Sequence, residues 1–270
     1  MWQQYYYGEK MLSAELLNST TEYPQLWLDK ALSITGKFEG RGYDNVTGNF
    51  DGMGISAGIL QWCLGQGSLQ EKILKPFIKT HGSIDALNIF PKKIMDSLAK
   101  SSASGGIRIA VSEMHTSSGF LRKTTTVSPV WVTAWRKFLL LPEVIELQRM
   151  ACETVAMQAM AYCEDWDMVL PRTFCWFFDL VTQNGSLEGV TKPKVDRDYI
   201  KYAITGASNS NQKIWKNLGL NDEQVILMIA SYKRSLTARA AYQKDVMDRK
   251  GTIAAGVGFV HGDKFENIAY

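Results

Sequence analysis

The chain has 270 residues, with 30 Lys and Arg against 27 Asp and Glu for a formal charge of +3, and it is 46% hydrophobic and 21% charged. That balance excludes an intrinsically disordered chain, and 22 glycines and 7 prolines are far too few for a collagen-like or low-complexity one. The length suits either one large domain or two lobes sharing a cleft.

Trp27, Ala31, Ile34 and Phe38 recur at helical spacing, and Gly40 and Gly42 follow as stop signals, so a first helix is expected to end near Glu39. From Arg41 to Gly58, glycines alternate with the turn-prone pairs Asp44-Asn45, Gly48-Asn49 and Asp51-Gly52, which predicts a small antiparallel hairpin or meander. An apolar run, Ile59 to Leu64, leads to Ser68 as a candidate cap for a helix through about Thr80, with Leu69, Ile73, Leu74 and Phe77 on one side. Residues 101–106 (Ser-Ser-Ala-Ser-Gly-Gly) are the most loop-like stretch, and Thr116 to Val127 is a second polar excursion; either can mark a boundary. Pro142 opens a helix with Val144, Leu147, Ala151 and Val155 on one face, running to about Cys163. Further helices are expected near 172–184, 194–204, 208–218 and 222–247, the last with Ile226, Ile229, Leu236 and Ala240 inward. An irregular tail containing Gly251, Gly256, Gly258 and Gly262 follows. The pattern contains no internal repeat and predicts a mainly α protein with one small β insertion.

The charge is too small and too dispersed for nucleic acid, since basic runs do not exceed pairs such as Lys92-Lys93 and Arg122-Lys123. No apolar run approaches the roughly 18 residues of a membrane span. The start, Met1 to Lys10, lacks the basic and apolar regions of a signal peptide, so cytoplasmic synthesis is expected, with other machinery delivering the protein to any substrate outside. Cys63, Cys152, Cys163 and Cys175 lack metal-type spacing and read as reduced core thiols rather than a disulfide framework. His81, His115 and His261 are isolated in sequence, so neither a metal site nor a cofactor is expected.

Two acids carry candidate chemistry. A carboxylate at a helix C-terminus is disfavoured by the macrodipole, so Glu39 is suited to remain a protonated acid. Asp51 follows in the Gly-punctuated segment, where it can stay solvated and ionised. One carboxyl that protonates a leaving oxygen and another that activates water or stabilises an oxocarbenium-like centre are the requirements of glycosidic cleavage. By itself such a pair is common on protein surfaces.

The segments Lys37-Phe38-Glu39-Gly40 and Asn49-Phe50-Asp51-Gly52-Met53-Gly54-Ile55-Ser56-Ala57-Gly58-Ile59-Leu60-Gln61-Trp62 resemble the active-site region of the lysozyme-like superfamily, especially its chitosanase-like and bacterial peptidoglycan-hydrolase branches. The resemblance implies a two-lobed, mainly α fold spanning 1–270. Its N-terminal lobe, about 1–105, would hold the catalytic helix and hairpin, and its helical lobe would be about 106–270. It also implies catalysis by Glu39, Asp51 and a water-orienting Ser56, with Asp44 the competitor for the second carboxylate because the hairpin is shorter than in chitosanases. Asp44, Asn49, Gln61, Trp62, Gln183 and Asn184 are the implied substrate contacts, though Trp62 has core packing as its alternative. Phe178-Asp179-Leu180-Val181-Thr182-Gln183-Asn184-Gly185 resembles a cleft-facing helix end of these enzymes and is equally a helix C-cap. Val260-His261-Gly262 resembles their closing motif and can equally be a structural tail contact.

The implied function is a muramidase-type hydrolase cutting β-1,4 bonds between peptidoglycan amino sugars, with a chitosanase or lytic transglycosylase as alternatives. The slight positive charge leans toward peptidoglycan over polycationic chitosan. A phage endolysin, or an antibacterial effector with a delivery machine and an immunity protein as partners, fits that reading. A non-catalytic sugar or cell-wall binder is the reading of another class. Gly54-Ile55-Ser56-Ala57-Gly58 also satisfies G-x-S-x-G, with His261 and Asp263 as imaginable partners, but no buried strand precedes it as a nucleophile elbow requires.

Overall fold

Nine consecutive residues of one helix, Thr173 to Val181, are buried on every side. Such a helix must sit at the centre of its surroundings. The computed structural model describes residues 6–7, 10–11, 24–38, 42–49, 52–116, 126–205, 218–266 and 268, and it is mainly helical with small antiparallel sheets. It divides into two compact units, residues 1–38 with 155–270, and residues 39–154.

In the first unit, β1 (Tyr6–Tyr7) and β2 (Lys10–Met11) form a two-stranded ladder. Helix α1 (Gln25–Phe38) buries Ala31, Ile34 and Phe38 of the expected stripe together with Leu28 and Leu32, leaves Trp27 half-buried, and packs on the central helix α7 (Pro171–Asn184). The Trp27 and Phe174 rings meet there at 5.8 Å. Behind α7, Tyr162 stacks on Phe177 at 5.0 Å and Trp176 donates from Nε1 to Ser231 Oγ at 2.9 Å. The unit also contains α8 (Lys192–Thr205), α9 (Asp222–Thr237) and α10 (Gln243–Ala255). The span expected as one helix over 222–247 is therefore two helices that pack on each other, joined through a short 3-10 turn at Ala240–Tyr242. The break leaves Leu236 and Ala240 exposed, while Ile229 is buried as expected, together with Val225, Leu227 and Met228. No Gly or Pro marks it; packing of α9 on α10 overrides the good helix propensity of Ala238 to Ala241. The expected irregular tail is in fact the end of α10 followed by a hairpin, β6 (Gly258–Val260) and β7 (Asp263–Phe265). The helix expected near 208–218 lies almost wholly outside the described residues.

In the second unit, β3 (Val46–Thr47), β4 (Ser56–Ala57) and β5 (Trp62–Cys63) form a three-stranded antiparallel meander. A π-helical stretch, Gln70–Leu74, runs into α2 (Lys75–His81). Ser68 does not cap it; its hydroxyl accepts from Cys63 N at 2.9 Å and ties the helix start to β5. After α3 (Met95–Lys100), the stretch expected as a loop at 101–106 is the start of α4 (Ala103–Glu113), capped by Ser102, whose Oγ accepts from Gly105 N. Its glycines serve contact rather than flexibility, since a Cβ at Gly106 would lie 2.8 Å from Gln70 Nε2. The polar excursion is closed at its base by Thr116 N to Thr126 O, and residues 117–125 lie outside the described ones. α5 (Pro129–Leu139) follows, and α6 (Pro142–Asp165) contributes its first half to this unit and its second half to the other.

The four cysteines are buried and form no disulfide. Burial raises the thiols of Cys152 and Cys175 to about 12, which keeps them protonated and inert. Among the described residues no helix is long and apolar enough to cross a membrane.

Candidate functional site

Helix α1 reaches Phe38, the residue before Glu39, and the meander begins at Val46. Glu39 and Asp51 themselves lie outside the described residues, but the chain on either side of them is described. Asn49 closes the loop that contains Asp51. Its carbonyl accepts from Gly52 N at 3.3 Å, and its Oδ1 accepts from Gly54 N at 2.7 Å. Asn49 is thus the hydrogen-bonded base of that loop, a role turn-forming Asn residues commonly take.

Ser56 sits in β4, buried, opposite Thr47 and Cys63. That central-strand position differs from a nucleophile elbow, which needs the serine on a sharp strand-to-helix turn. The serine-hydrolase alternative is therefore set aside; moreover His261 bonds Asp245, not Asp263. Asp44 lies 3.9 Å from Arg136 of α5, a loose and exposed pair.

Gln61 adopts a left-handed φ of 52° in the β4–β5 turn. Its amide spans the meander: Nε2 donates to Gly58 O at 2.9 Å, and Oε1 accepts from Thr47 Oγ1 at 2.8 Å. Trp62 takes the packing role, since it is only 8% exposed and lies against Gly58. The sequence reading did not single out Gln148, which secures this turn. Fully buried, Gln148 accepts from Ile59 N at 3.0 Å and donates to Tyr43 O and Leu139 O at 3.2 and 3.1 Å. One amide thus fixes the meander, the chain before it and the end of α5. This unit also carries an apolar groove of about 440 Å³ lined by Ile89, Phe90, Pro91, Val130, Ala134 and Lys137, which contains none of the residues singled out above.

In the other unit the two remaining motifs are brought together. Asp179 and Gln183 are one turn apart on α7, as are Asp245 and Arg249 on α10, so each pair presents one face to the other helix. Arg249 Nη2 donates to Asp179 Oδ1 at 2.6 Å, and the Lys250 ammonium donates to Asp179 Oδ2 and to Gln183 Oε1, the latter at 2.9 Å. Gln183 Nε2 donates to Asp245 Oδ2 at 2.6 Å, and Asp245 Oδ1 meets His261 Nε2 at 2.7 Å. The chain runs from the fully buried Asp179 and Lys250 to a half-exposed His261.

Burial by itself would raise the Asp179 carboxyl, but the Arg249 and Lys250 cations outweigh it and hold it down at about 2. Burial pushes the Lys250 ammonium down to about 8 against the attraction of Asp179. Arg249 also lies 5.3 Å from the centre of the Phe38 ring, a cation–π contact at the last residue of α1. Asn184 ends α7 with a buried Oδ1 that has no hydrogen-bond partner among the described residues. The sequence does carry a signal for Asp179: an acid inside Phe174 to Val181 must find a cation.

Among the described residues no group of three or more His, Cys, Asp and Glu is placed to hold a metal ion. No protein-family model and no curated protein matches the chain.

Proposed function

We propose that the protein is a lysozyme-like, two-lobed glycoside hydrolase that cuts β-1,4 bonds between the amino sugars of peptidoglycan. The observation that carries this reading is the order helix, acid, antiparallel meander: α1 runs to the residue before Glu39, and the β3–β4 connection contains Asp51 in a loop closed by Asn49. A carboxyl following a helix C-terminus is electrostatically biased toward its protonated form, so Glu39 gives its proton to the departing glycosidic oxygen. Asp51, in the glycine-punctuated segment between Asn49 and Gly54, would remain ionised and take the proton of the attacking water. Ser56, at the end of the same connection, orients that water. The anionic polymers of cell walls suit a mildly basic chain better than polycationic chitosan does.

Asn49, Gln61 and Trp62 hold the meander and the loop beside it in place. The test is clearing of purified cell walls by wild type and by Glu39→Gln, with mass spectrometry of the released fragments. Reducing ends identify a hydrolase, anhydro ends a lytic transglycosylase, and absence of cleavage in wild type favours a binding protein or another polymer as substrate.

A further inference from the structure

The β6–β7 hairpin turns through two residues, His261 and Gly262, with φ of 54° and 91°. Two successive left-handed residues make a type I′ turn, whose first position favours Asn or Gly; histidine there is strained. The strain coincides with a specific bond, His261 Nε2 to Asp245 Oδ1 at 2.7 Å. Asp245 is itself held by Gln183, Gln183 by Lys250, and Lys250 together with Arg249 by Asp179. Arg249 then lies over the Phe38 ring, and Phe38 meets Phe265 of β7 edge-on at 4.9 Å. The contacts therefore form a closed circuit, leaving the hairpin at its tip, passing through α10 and α7 to the last residue of α1, and returning to the hairpin at its base.

We propose that His261 is a positioning residue: its bond to Asp245 clasps the hairpin so that Phe265 and Arg249 bracket Phe38 and fix the last turn of α1, which Glu39 follows in the sequence. The clasp rests on the hydrolase reading only for its catalytic consequence, because the ordering of α1 can be measured without any substrate.

Two substitutions separate the bond from the turn. His261→Asn removes the strain, since Asn tolerates the left-handed conformation, but its shorter amide falls short of Asp245. His261→Gln keeps the strain and retains a donor of similar reach. Amide hydrogen exchange is followed by mass spectrometry across Ile34 to Phe38. His261→Asn is expected to exchange roughly tenfold faster there than wild type, and His261→Gln at close to the wild-type rate. Cell-wall hydrolysis should follow, with kcat roughly tenfold lower in His261→Asn, KM unchanged, and recovery in His261→Gln. Wild-type exchange in His261→Asn, or equal loosening by both variants, overturns the clasp. Failure of the wild-type protein to hydrolyse cell walls overturns the functional reading instead, and the exchange comparison then decides the clasp by itself.

Discussion

Arg249 and Asp179 meet at 2.6 Å with both side chains shut off from solvent, between two helices that pack on each other. Charges in such a place are maintained by each other. Removing one partner leaves the rest desolvated and uncompensated, at a cost of about 3–5 kcal/mol. Asp179→Ala is accordingly expected to lower unfolding free energy by about that amount, measured by urea titration. Gln183→Ala leaves the Asp179 pairs in place and should cost less, about 1–2 kcal/mol.

The same ion pairs make the fold sensitive to acid. The Asp179 carboxyl is held near 2, below the ordinary value of 3.8, so between those values the unfolded chain binds more protons than the native one. Stability contributed by Asp179 is therefore complete above about pH 4 and is lost as pH falls through about 2. Thermal melts from pH 5 to pH 2 should show a steep decline in wild type. A matching decline in Asp179→Asn would assign acid sensitivity to other carboxyls.

At the meander the constraint is steric. Gly58 has φ of 83°, and a Cβ there would lie 2.5 Å from Gln148 Oε1 and 2.8 Å from Trp62. Gly58→Ala thus combines backbone strain of about 1–3 kcal/mol with displacement of the amide that holds Ile59, Tyr43 and Leu139. Reduced stability in chemical denaturation is expected, together with loss of near-ultraviolet dichroism from the Trp62 environment. A fully native Gly58→Ala would show that the turn relaxes freely.

Much of this architecture is legible in the sequence. The stripe from Trp27 to Phe38 marks α1 to within a residue of its described end, and the glycine-spaced turns between residues 42 and 58 mark the meander. Local pattern misleads where tertiary contact decides. Ser101 to Gly106 has the composition of a loop, yet Ser102 is a cap and Gly106 a point of close packing. The turn between α9 and α10 has no breaker residue, because packing between the two helices sets it. Gln148 looks like one more polar residue on an amphipathic helix, and only its three distant partners reveal its role. For the candidate site, the motif containing Asp179 and Gln183 and the motif containing His261 were visible separately. Their connection through Asp245 was not, since it depends on how α7 and α10 face each other.

Proton donation by Glu39 is the central step of the proposed reaction. The direct measurement is the initial rate of reducing-end release from purified peptidoglycan by wild type and by Glu39→Gln, after dichroism and melting have shown the variant to be folded. Replacing a general acid by an isosteric amide is expected to lower the rate by about 10²–10⁴-fold with little change in binding to the polymer. Release by Glu39→Gln at the wild-type rate would contradict the account.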